Sequence, residues 1–131
     1  MKKGRQLSWS EKMERPAIEE IKVLDKPFAG WPKGTRMLIS TPRKIGAYIQ
    51  QLPEGYTMRM ASLRKELAVA AGADFTCPLT TGIFVRTIAE FTHEQKLQGL
   101  PTEQLYPFWR LDLSRVSWRH KLSFSLEEYV D

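Results

Sequence analysis

The chain has very little cysteine: one residue, Cys77, in 131. No internal disulfide can form, and with histidine only at positions 93 and 120 no Cys/His cluster has the spacing of a zinc site. No metal and no cofactor are therefore expected, and a reducing cytoplasm is the expected compartment. No apolar run approaches the roughly 20 residues that cross a bilayer, so no membrane partner is expected. The basic start, Met1-Lys2-Lys3-Gly4-Arg5, leads into polar Gln6, Ser8 and Ser10 and not into the apolar stretch of a secretory signal. A glycine-rich phosphate loop, a paired-histidine metal motif and a nucleophile elbow are missing too, which removes the common catalytic routes. There is no internal repeat and no low-complexity tract.

What remains is the composition of an ordinary folded domain, 42% hydrophobic and 27% charged. The length suits one domain. A net charge of +5 and a pI near 9.5 favour polyanionic partners.

Residues 1–36 carry Pro16, Pro27, Gly30, Pro32 and Gly34, which interrupt any long periodic element. They read as an arm, with Trp9, Phe28 and Trp31 either anchoring it to the core or forming a flap over a site. Residues 37–131 read as the domain proper. Arg36–Ser40 has the pattern of a strand. Thr41 is a good N-cap with Pro42 behind it, and Ile45, Ile49 and Leu52 make one apolar stripe before Pro53-Glu54-Gly55 ends the helix. A second helix is expected from Met60 to Ala71, with Met60, Leu63 and Leu67 inward and Gly72 as its C-cap. A third begins at Pro78, buries Ile83, Phe84, Ile88 and Phe91, and fades near Gly99 and Pro101. Phe108–Leu113 and Val116–Phe124 then read as two strands, and Ser125 as the cap of a final helical turn.

Three short helices followed by a β arm form the pattern of a helix-turn-helix module with a wing. The expected fold class is α+β and winged-helix-like, with a mainly helical core. In such a unit the start of the recognition helix faces a groove, here Thr80, Thr81 and Gly82, with Arg86 one turn on. Small residues permit close approach, and the arginine can reach a base edge or a phosphate. Arg59, Arg64 and Lys65, with Arg43 and Lys44, form a second basic set; Arg110, Arg115, Arg119 and Lys121 form a third. Taken singly, each reads as a solvated surface cation; only convergence on one face would change that. Cys77, near a helix start, is either a dipole-activated thiol or a buried inert one.

The segment TPRKIGAYIQQLPEGYTMRMASLRKELA, residues 41–68, resembles the start of the DNA-binding domain of O6-alkylguanine-DNA alkyltransferases, with Leu52-Pro53-Glu54-Gly55 at that family's Ile-Pro-x-Gly turn. Pro107-Phe108-Trp109-Arg110 resembles the family's Pro-Cys-His-Arg motif. The resemblance implies a DNA-reading scaffold without its chemistry. Phe108 stands at the alkyl-accepting cysteine and Trp109 at its activating histidine, and neither accepts an alkyl group as a thiolate does. It further implies binding of duplex DNA, with Phe108 and Trp109 lining a pocket for an alkylated or flipped base, unless both are core aromatics. Two other readings stand beside this one: a cysteine-dependent alkyl-acceptor or redox enzyme using Cys77, and a winged-helix protein-interaction module.

Overall fold

Ser8 followed by Glu11 is a capping box, and it opens the first helix. The Glu11 amide donates to Ser8 Oγ at 3.1 Å, and the Ser8 amide donates back to Glu11 Oε1 at 2.8 Å. The computed structural model describes residues 6–129 and is α+β, with four α-helices and two small sheets among those residues. The helices are α1 (Trp9–Glu14), α2 (Pro42–Ile49), α3 (Met60–Ala71) and α4 (Pro78–Leu97). The strands are β1 (Glu20–Val23), β2 (Arg36–Ile39), β3 (Met58–Arg59), β4 (Phe75–Thr76) and β5 (Leu111–Asp112).

The expected arm thus carries a helix and a strand. Met13 of α1 is buried in the main core, and β1 pairs antiparallel with β2 from Glu20–Ile39 to Val23–Arg36. Strand β2 also pairs in parallel with β4, Met37 against Phe75 and Leu38 against Thr76. Trp31 stacks on Phe75 at 4.9 Å and anchors the β1–β2 loop.

Helices α2 and α3 form as their caps dictate. Thr41 Oγ1 accepts the Lys44 amide at 3.1 Å, and Gly72 takes the left-handed conformation (φ 74°) that ends α3. Ile45, Ile49, Leu52, Leu63 and Leu67 are all buried, as their spacing predicts. Two bonds then fix the six residues between α3 and α4. Thr76 Oγ1 donates to the Arg64 carbonyl at 2.7 Å, and the Arg36 amide donates to Asp74 at 2.8 Å.

Helix α4 runs for 20 residues, about 30 Å, through the middle of the fold. Its buried face includes Thr81, Val85, Ala89 and Thr92 beside the expected Ile88, while Ile83, Phe84 and Phe91 are not among its buried residues. Ile83 is 52% exposed, and Phe84 and Phe91 are half-buried. At two of the buried threonines the helix satisfies the hydroxyl, while Thr92 Oγ1 is buried with no partner among the described residues. Thr81 Oγ1 donates to the Cys77 carbonyl at 2.7 Å and Thr87 Oγ1 to the Ile83 carbonyl at 3.0 Å.

The second correction concerns the wing. Phe108–Arg110 is a 3-10 turn, only Leu111–Asp112 is extended, and β5 pairs in parallel with β3. Val116–Phe124 forms no strand. Its amides bond locally instead: Val116 to the Leu113 carbonyl, Arg119 to Val116 and Lys121 to Trp118. Asp112 and the serines at 114 and 117 favour turns strongly enough to override the β propensity of Val116 and Trp118. The expected terminal turn does form, with Ser125 capping Leu126–Glu128.

Gly46 of α2 sits where a Cβ would come within 2.8 and 3.0 Å of the Tyr106 ring and 3.3 Å of the Met13 methyl. Alanine is the better helix former by about 1 kcal/mol, but overpacking typically costs about 1–3 kcal/mol. We expect Gly46→Ala to lower the unfolding free energy by roughly 1 kcal/mol in urea titrations. A variant as stable as the parent would show that Tyr106 moves aside freely.

Candidate nucleic-acid interface

The turn before α4 decides which of its side chains face out. Pro78 fills the first helical position, and Cys77 Sγ caps the helix by accepting the Thr80 amide at 3.5 Å. Thr81 then points inward and is 1% exposed, so the expected groove contact at Thr81 is excluded by burial. Thr80 is half-buried, and its Oγ1 is buried without a hydrogen-bond partner among the described residues. Leu79 and Ile83, one turn apart, face solvent at 66% and 52% exposure. Gly82 lies between them, and a Cβ there would stand 3.4 Å from the Trp118 indole nitrogen.

Two clefts meet at Ile83. The first, of about 470 Å³, lies between the starts of α3 and α4 and the turn after β5, and is lined by Arg59, Arg64, Leu79, Gly82, Ile83, Asp112 and Arg115 among others. Asp112 accepts from the Ser114 hydroxyl at 2.6 Å and from its amide at 3.0 Å. These bonds, then the charges of Arg115 and Arg59, hold its carboxyl below the ordinary range, so it stays ionised into acid.

The second cleft, of about 490 Å³, is lined by Trp9, Lys12, Arg15, Ile83, Arg86, Lys121 and neighbours. The Lys12 ammonium sits 4.2 Å from the Trp9 ring centroid and the Arg86 guanidinium 5.3 Å from it. Arg86 also donates from Nη2 to the Lys121 carbonyl at 3.3 Å, while its Nε is buried with no partner among the described residues. Ser117 and Trp118 line both clefts. Together the two clefts present Arg59, Arg64 and Arg115 on one side and Lys12, Arg15, Arg86 and Lys121 on the other, against one carboxylate, Asp112.

Compared with protein-family models, curated proteins and solved structures, the chain matches none. The interface is therefore read from its geometry.

Of the residues singled out in the sequence, the fold brings Arg59, Arg64 and Gly82 into one cleft and places Arg86 in the other. Lys65 lies apart, exposed on a third cleft beside Trp31, Asp74 and Arg64. Arg110 is a tether: its Nη1 donates to the Leu52 carbonyl at 2.8 Å, joining the Phe108 turn to the end of α2. Phe108 is a core residue with no exposure, which rules out its expected place on a pocket wall. It packs edge-on against Trp109, Phe124 and Tyr129 at 5.3, 5.8 and 4.8 Å. Trp109 stacks on Tyr129 at 5.3 Å and lines a small cleft of about 210 Å³. The Tyr129 hydroxyl meets His93 Nδ1 at 2.8 Å, and burial with the neighbouring Glu128 charge pushes its pKa up to about 12.

Lys12 and Arg15 were not among the candidates read from the sequence, and Trp9 was read only as an arm aromatic that anchors to the core or flaps over a site. The signal that places them was available in the Ser8–Glu11 capping box, which fixes α1 and so the side chains it carries. Leu79 and Ile83 were missed as surface residues because aliphatic positions in a helix are normally assigned to the core.

Cys77 is 4% exposed and its sulfur serves as a helix cap. We expect the native protein to resist iodoacetamide over hours and to react at once in denaturant, followed by intact mass. Rapid, stoichiometric alkylation of the folded protein would contradict this burial.

Proposed function

We propose that this chain is a non-enzymatic DNA-binding protein that lays the outer face of α4 against a duplex. The observation that carries the proposal is the exposed Leu79–Ile83 face, with Ile83 at the junction of two clefts lined by seven cations and a single carboxylate. Cations on both sides of an outward helix suit the two phosphate rows that border a groove.

The connectivity of α3 and α4 supports the helix-turn-helix reading, and the resemblance of residues 41–68 and 107–110 to alkyltransferase DNA-binding domains points the same way. In the winged-helix version of this proposal, the Ser114–Ser117 turn takes the place of the wing beside the first cleft. Recognition of an alkylated base would require room beside Phe108, and the aromatic cluster fills that room. The proposed ligand is therefore duplex DNA as such. Alkyl acceptance by Cys77 would need an exposed thiolate, which a buried capping sulfur does not offer.

The test is fluorescence anisotropy of a labelled duplex across a salt series. Affinity should fall linearly on a log–log plot, with a slope close to 0.9 for each phosphate neutralised. Arg59→Glu/Arg64→Glu and Arg86→Glu/Lys121→Glu should each weaken binding by about tenfold or more at low salt. Lys22→Glu/Lys26→Glu, which makes the same charge change outside both clefts, should cost far less. A duplex containing O6-methylguanine should bind as the plain one does. Equal losses from all three double variants would reduce the effect to bulk charge, and no binding at low salt would end the proposal.

A further inference from the structure

The cations account for affinity toward a phosphate backbone but not for two exposed aliphatic residues beside them. Leu79, which lines the first cleft, and Ile83, which lines both, expose aliphatic side chains beside the cations of the two clefts. Scattered surface aliphatics are common and need no partner. These two differ because they share one helix face, at i and i+4, with the first cleft's arginines beside both and the second cleft's cations beside Ile83.

An α-helix with its side chains is about 10–12 Å wide, which matches the roughly 12 Å major groove and not the roughly 6 Å minor groove. A helix seated there brings its outermost side chains to the base edges. Neither Leu79 nor Ile83 carries a donor or acceptor, so neither can read the hydrogen-bond pattern of a base pair. The polar neighbours are poorly placed for it: Thr81 is buried, Thr80 Oγ1 is buried, and Arg86 is engaged with Lys121 and Trp9. The apolar feature of the major-groove floor is the C5 methyl of thymine.

A separate observation also points to a ligand at this face. The Trp118 side chain, 8% exposed and lining both clefts, has an indole N–H with no partner among the described residues, and the same is true of Arg86 Nε. Both are donors of the kind that phosphate oxygens satisfy.

Resting on the DNA-binding reading above, we propose that Leu79 and Ile83 are specificity-determining residues that contact thymine methyl groups in the major groove. The cations hold the helix in register, and the two aliphatic side chains exclude water against the methyls. The protein then favours A·T-rich sequence without any polar base contact from these positions.

The experiment uses the full chain and an A·T-rich duplex, alongside the same duplex with every thymine replaced by uracil. The two differ only by the C5 methyls and carry the same charge. Burying one methyl contributes roughly a four-fold change in Kd, so the thymine duplex should bind about four-fold or more tightly. Leu79→Ala/Ile83→Ala should bind both duplexes alike, near the parent's affinity for the uracil duplex, with an unchanged melting temperature because both positions are exposed. Equal parent affinities with the salt dependence intact would overturn this inference and leave the DNA-binding reading standing. A double variant that keeps the thymine preference would also overturn it. Binding to neither duplex would overturn both.

Discussion

Everything in this fold is arranged around one packed helix. Val85, Ile88 and Ala89 of α4 have no exposure, and they meet Leu38 from β2, Ile45 and Ile49 from α2, Leu63 from α3 and Phe108 from the turn before β5. Interior packing of this density holds a helix in one rotation about its axis. With Thr81, Val85, Ile88 and Thr92 locked inward, Leu79, Ile83 and Arg86 have only the outside left. The exposed face that carries the functional proposal thus follows from core packing. The same burial fixes the start of α4 against β4 and α3, which sets Arg59 and Arg64 beside it.

The two ends of α4 have different cover. Its front end is bordered by basic clefts. Its rear half is covered by an aromatic cluster in which His93 stacks on Phe124 at 4.3 Å and Phe108, Trp109 and Tyr129 pack together. The resemblance to alkyltransferases leads one to look for a base pocket at Phe108, yet Phe108 has no exposure. A role in binding, without transfer, is consistent with both halves of the helix.

Local rules made much of this legible in the sequence. Thr41 with Pro42, Gly72, and Pro78 are strong boundary signals, and they place α2, α3 and the start of α4 where the structure has them. The inward rotation of α4 was not legible, because a hydropathy pattern scores Thr81 and Thr92 as polar while the fold treats them as small core residues. The wing failed for the opposite reason. Val116, Trp118 and Phe124 look like strand residues, but Asp112 and Ser114 turn the chain first and no partner strand lies in register. Convergence of cations on one face is a tertiary property. The separations of Lys12, Arg86 and Lys121 along the chain give no hint that they line one cleft.

The most direct measurement is an amide NMR titration of the full chain with a short duplex at low salt. Shift changes should concentrate at Arg59–Arg64, Leu79–Arg86 and Ser114–Ser117, with Trp9–Arg15 affected on the other side of Ile83. Changes confined to the His93–Tyr129 end, or spread evenly over the surface, would contradict the account.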